Sequence, residues 1–176
     1  MGKESRRIAL SGMMVALGAT IMLLVGVIPL ATFIAPALAG LTLLPVLHEF
    51  GRKWALAAWA AIAALSLMLA PDKEAALLFA FLGWYPVGKV DIDRIRSVPL
   101  RTLIKLLCFN AAAGAMLAGT YWLFGMQGIA QEYAGMGRAM LVAFILLANF
   151  TMLVYDVLLV IMMNLYRVRL RPKILH

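Results

Sequence analysis

Six apolar stretches, separated by short polar or Pro/Gly-containing breaks, organise this chain: Ile8–Ile28, Ala31–Leu47, Trp54–Ala70, Ala75–Gly88, Leu103–Phe124 and Met140–Met163. A helix crossing the hydrocarbon layer of a bilayer takes about 20 apolar residues, with a usual range of about 17 to 25. The first, fifth and sixth stretches meet this length, the second and third lie near its lower limit, and the fourth is too short alone. The pattern predicts one all-α integral membrane domain over residues 1–176, a bundle of six transmembrane helices. Pro29-Leu30 reads as a tight turn, His48–Lys53 as a short turn at the opposite side, and Pro71-Asp72-Lys73-Glu74 as a small polar loop. Lys89–Lys105 is a longer connection with Ile92 and Ile95 at helical spacing. It reads either as an amphipathic turn on the membrane surface or as a solvated loop, with Pro99 starting the fifth helix. Gly125–Gly137, containing Gln127, Gln131, Glu132 and Tyr133, is expected to be the longest outer loop.

Composition supports the bilayer as solvent. Of 176 residues 65% are hydrophobic and 14% charged, and the mean hydropathy is +0.96. A soluble domain of this size would leave large apolar patches in water. The basic start Lys3, Arg6 and Arg7 resembles that of a signal peptide, but the apolar run lacks a small-residue cleavage site and reads as a retained helix. The net charge of +8 does not describe a nucleic-acid footprint, because the cations cluster at the ends of apolar runs. If all six stretches cross, 14 basic residues face the cytoplasm with both termini, and only Lys73 and Arg138 lie outside. Were the fourth stretch not to cross, the basic Lys89–Lys105 segment would lie outside, against the positive-inside rule. The expected location is the plasma membrane. Cys108 is the single cysteine and lies in an apolar run, so it forms no disulfide within the chain and reads as a small buried hydrophobe.

The sequence carries no complete motif of the zinc-protease, serine-protease or phosphate-loop kind. His48-Glu49 opens like a zinc-protease motif, but the second histidine would have to stand where Arg52 does. Ser66 is the one serine well inside a stretch, with no histidine near it in sequence. Gly88-Lys89-Val90 lacks the glycine spacing and hydroxyl of a phosphate-binding loop.

Polar groups at membrane depth are costly and each asks for a reason. Asp156, in the sixth stretch toward the cytoplasm, is the clearest. A pair with Lys105 or Lys89, with Asn110 nearby, would give an inner polar cluster, read as a lock between helices, a substrate or ion site, or a coupling element. Gly12, Ala16 and Thr20 repeat every four residues on the first helix, as do Ala111, Ala115 and Gly119 on the fifth. Such stripes allow close helix approach, within the chain or as a docking face for a membrane subunit. Pro36, Gly40 and Pro45 interrupt the second stretch, and Gly83, Pro86 and Gly88 the fourth. Interrupted helices often line a transporter cavity. Trp84 and Tyr85 beside the second break, with Trp122 and Asn149, are the candidate substrate-binding residues. Trp122 and Tyr121 also suit interfacial anchors.

With six helices, a basic start running into Ile8-Ala9-Leu10-Ser11-Gly12-Met13-Met14-Val15-Ala16-Leu17-Gly18, and this length, nearly the whole chain resembles a substrate-binding S component of the energy-coupling-factor transporters. Trp84-Tyr85-Pro86-Val87-Gly88-Lys89 and Lys105-Leu106-Leu107-Cys108-Phe109-Asn110 resemble an S-component-like group of bacterial membrane proteins. The resemblance implies capture of a vitamin-like small molecule from outside, in a cavity among helices four to six and the first outer loop. It implies no cofactor, and as partners a transmembrane coupling subunit and separate ATPase subunits. Gly12 and Ala16 stand where that family usually has two alanines on the docking face. No vitamin-specific signature is present, so the substrate stays open. The alternatives are a non-catalytic scaffold of the cell envelope, of rod-shape or sporulation type, and a membrane enzyme relying on Asp156 and a few amides.

Overall fold

The computed structural model describes residues 3–24, 31–133 and 137–170, with the side chains of Lys3, Ala31, Phe33, residues 123–133 and Leu170 left undescribed. Pro29-Leu30, Arg171 and Lys173 lie outside the described residues, as do the side chains of Gln127, Gln131, Glu132 and Tyr133. Among the described residues eight α-helices follow in order: α1 Lys3–Leu23, α2 Ala31–Leu41, α3 Leu43–Phe50, α4 Arg52–Leu69, α5 Lys73–Leu82, α6 Tyr85–Ile92, α7 Val98–Tyr133 and α8 Arg138–Leu165, the last running into a π-helical turn at Tyr166–Leu170. No strand occurs among the described residues. Among the described residues five helical segments are long and apolar enough to cross a membrane: Glu4–Leu23, Arg52–Leu69, Lys73–Ile92, Val98–Trp122 and Arg138–Arg169. A shorter apolar stretch spans Ile34–Phe50. Large side chains on the outside of the bundle are apolar, among them Met68, Leu146, Phe150 and Val168, as a multi-pass membrane protein requires.

The second and fourth apolar stretches are each two helices, and one rule explains both breaks. A proline inside a helix removes one hydrogen bond and its ring meets the carbonyl four residues back. Pro45 stands four residues after Leu41, where α2 ends, and Pro86 four after Leu82, where α5 ends. Each proline then sits near the start of the next helix, where its missing N–H costs nothing. Pro36 is accommodated inside α2 without a break. Gly51 alone joins α3 to α4, with φ at +83°.

Two loop expectations are corrected. Gly125–Gly137 is not a loop over most of its length, because α7 stays helical through Tyr133. Its 36 residues measure about 54 Å at 1.5 Å per residue, well beyond a hydrocarbon core of about 30 Å. Residues with good helix propensity, Ala130, Gln131 and Glu132, carry the helix past Gly125 and Gly128. The Lys89–Lys105 connection shrinks to residues 93–97, since α6 reaches Ile92 and α7 begins at Val98. Lys89 and Lys105 are therefore buried helix residues rather than loop residues.

Side-chain contacts fix which ends meet. Thr32 Oγ1 donates to Asp72 Oδ2 at 2.7 Å, placing the start of α2 beside the α4–α5 loop. Asp72 also caps α5, accepting from the N–H groups of Glu74 and Ala75 at 2.9 and 3.1 Å. At the opposite end Arg52 pairs with Asp91, and the ring of His48 meets Tyr166 edge-on, 5.8 Å between centroids. We call this second end, where α4 begins and α8 finishes, the basic end.

Candidate functional site

A connected group of polar side chains lies near the basic end and centres on Asp156. Lys105 Nζ donates to Asp156 Oδ2 at 2.8 Å, Tyr85 Oη donates to Oδ1 at 2.6 Å, and Lys89 Nζ also donates to Oδ1. Asp93 closes the group from the other side, 3.1 Å from Lys89 Nζ and 2.6 Å from Lys105 Nζ. Arg101 approaches Asp93 at 3.9 Å. Two ammonium groups thus lie between two carboxylates, and the core of the cluster carries no net charge. That balance lets four ionised groups sit where an isolated charge would be costly.

Local sequence positions these groups simply. Tyr85, Lys89 and Asp93 follow at intervals of four, which puts them on one face of α6 and its C-terminal cap. Lys105 comes from the second turn of α7 and Asp156 from the lower part of α8, so the cluster joins three elements. Beside it a small apolar group of Leu44, Tyr85, Met152 and Leu159 packs together from α3, α6 and α8. Tyr155, one residue before Asp156, reaches α2 and donates to the Ala37 carbonyl at 3.3 Å. Gly40 makes that approach possible: a Cβ there would lie 2.5 Å from the Tyr155 hydroxyl oxygen. Asp93 lies just beyond the apolar segment. Burial pushes its carboxyl up, but the hydrogen bonds and charge of Lys105 and Lys89 outweigh this and hold it below the usual carboxylate range.

Asn110 does not join Asp156. Its amide donates to Asn149 Oδ1 at 2.7 Å, and each asparagine also donates to the carbonyl four residues back in its own helix. Asn149 and Asp156 lie seven residues apart on one face of α8, about 10 Å along its axis. The two helices therefore carry two polar links, one ionic and one amide.

The candidate substrate-binding residues are dispersed. Tyr85 is buried in the ionic cluster, and Asn149 is engaged by Asn110. The Trp84 ring lies over Gly88. Trp122 is 85% exposed on the outside of α7, about 18 Å along that helix from Asn110. On α1 the proposed docking stripe points away from the chain's own bundle: Gly12, Ala16 and Thr20 are exposed, and nothing lies within 4 Å of a Cβ built at Gly12. Gly18, by contrast, faces Ile62 and Thr42.

Tyr85 and Asp93 are members of the cluster beyond the expected Asp156, Lys89 and Lys105. The four-residue spacing Tyr85–Lys89–Asp93 is the signal that finds them, once Lys89 is read as helical rather than as loop. Among the described residues no group of three His, Cys, Asp or Glu side chains could hold a metal ion. Comparison with protein-family models, curated proteins and solved structures yields no match.

Proposed function

We propose that this chain is the substrate-binding membrane subunit of an energy-coupling-factor type transporter, capturing a vitamin-like molecule from outside and drawing energy from separate ATPase subunits. The observation that carries the reading is the outward small-residue face of α1. Gly12, Ala16 and Thr20 are open along the helix, so a partner helix could approach its backbone closely. In this reading the chain crosses the plasma membrane six times, α2 with α3 and α5 with α6 forming one broken crossing each, and both termini are cytoplasmic. The basic end is then the inner end, in keeping with the positive-inside rule. The broken helices suit a cavity-lining role, and the ionic cluster serves as an inner lock beneath a site nearer the opposite end.

Docking is tested by Gly12→Leu and Ala16→Leu. Each should abolish recovery of a co-expressed coupling module while the isolated protein stays folded and monodisperse in detergent. Undiminished recovery contradicts the proposal and favours the scaffold reading. Topology is tested in a Cys108→Ala background: Asp72→Cys should label in intact cells with an impermeant thiol reagent, and Arg94→Cys should not. Labelling at Arg94→Cys removes the six-span arrangement.

A further inference from the structure

The carboxylates of the basic end are nearly all engaged by neighbours, and its cations are not. Asp91 takes Arg52 and Arg94, Asp93 takes Lys89, Lys105 and Arg101, Asp156 takes both lysines, and Glu49 lies near His48. Arg6, Arg7, Lys53, Arg96, Arg167 and Arg169 are exposed and make no ion pair among the described residues. Among the described residues Glu4 is the one carboxylate there left against these six. The surplus is spread around the rim, on α1, α4, the α6–α7 connection and the π-helical turn after α8. A small anion would need several cations converging on one point. A distributed collar instead matches a continuous anionic surface.

Apolar side chains accompany the cations around the rim. Ile8 follows Arg7 and is 63% exposed, Val98 lies two residues after Arg96 and is 59% exposed, and Val168 between Arg167 and Arg169 is 75% exposed. Acyl chains would meet these residues while phosphates meet the guanidinium groups. We propose that the basic end carries a collar selective for anionic phospholipid headgroups. This does not depend on the transport reading, because the counted charges belong to the chain whatever it carries.

The test reconstitutes the full chain in vesicles of equal phosphatidylcholine and phosphatidylglycerol, and measures the motionally restricted fraction of each spin-labelled lipid. Phosphatidylglycerol should be enriched severalfold, since each basic residue meeting a headgroup favours the anion by roughly fivefold before averaging over the annulus. The preference should fall toward unity at about 1 M salt, where the screening length is about 3 Å. It should also fall when Arg6, Arg7, Lys53, Arg96, Arg167 and Arg169 are all changed to Gln, and survive when the five arginines are changed to Lys. Equal retention of both lipids by the unaltered protein overturns the proposal, as does a preference that persists in the glutamine variant. Inorganic phosphate at matched ionic strength should leave the preference intact. Its abolition by phosphate would assign the cations to a soluble anion and overturn the lipid assignment.

Discussion

Helices α1 to α5 and helix α8 are held in place by different physics. The first group shares a core that includes Met22, Ala35, Ala39, Leu43, Val46, Ala55, Ala58, Ile62, Ala75 and Phe79, with side-chain hydrogen bonds between its elements that include Trp59 to the Phe79 carbonyl at 3.3 Å and Thr32 to Asp72 at 2.7 Å. Its alanines let backbones approach, which matters in a bilayer because lipid chains are as apolar as leucine and only close packing favours helix over lipid. Helix α8 buries only Met152 and Leu159 of its 28 residues. Its half nearer Arg138 is exposed nearly all round, from Val142 through Leu147. Polar bonds supply what packing does not: the Asp156 cluster, the Asn110–Asn149 amides and the Tyr155 hydroxyl. A close-packed region should be sensitive to added volume, and a polar-linked one to the loss of single hydrogen-bonding groups.

The largest effect is expected at Asp156. Asp156→Ala leaves two buried ammonium groups with Asp93 as their remaining carboxylate. It should destabilise by about 3 kcal/mol, the lower end for a broken buried pair, because both lysines keep Asp93 and can turn toward water. Thermal unfolding in detergent measures this, and Asp156→Asn should cost less. In the close-packed half, Gly18→Leu should cost about 2 kcal/mol by overpacking, since a Cβ there would already lie 2.6 Å from Ile62 Cδ1. The same probe applied to the exposed Gly114 should change little, because nothing lies within 4 Å of a Cβ there. Asn149→Leu removes an interhelical amide pair and should cost about 0.6 kcal/mol, the average for such bonds in membranes. The smallest effect is a pH dependence. The Asp93 carboxyl is depressed in the folded state, so its contribution is fully present above its unfolded pKa of about 3.9. That contribution is lost as pH falls through the lower folded value. Asp93→Asn should flatten that acid limb of the stability profile.

Much of the arrangement was legible in the sequence. Apolar run length located the helices, and the cost of a carboxylate at depth singled out Asp156 together with Lys89 and Lys105. Proline and glycine marked the two interrupted stretches, although not which residue ends each half. That follows from the carbonyl four residues before Pro45 and Pro86. Loop lengths were less legible. Polar residues in 127–133 resemble a loop by composition, while α7 continues through them to Tyr133 with no proline in that stretch to interrupt its hydrogen bonds. An aromatic beside a helix break, such as Tyr85, fits a ligand site or a structural role equally by sequence, and the fold shows its hydroxyl on Asp156. Asn110 lies five residues from Lys105, off its helical face, which is why it meets Asn149 instead of the carboxylate.

A thermodynamic cycle joining Asp156→Ala with Lys89→Met and Lys105→Met tests the polar attachment of α8 most directly. If the carboxylate is shared by both lysines, losing it matters only while the lysines are present. The combined variant should then recover at least about 1 kcal/mol relative to the sum of the separate losses, within the range measured for coupled neighbours. Strict additivity, within about 0.5 kcal/mol, would contradict the account and place the attachment of α8 in packing rather than in the ionic cluster.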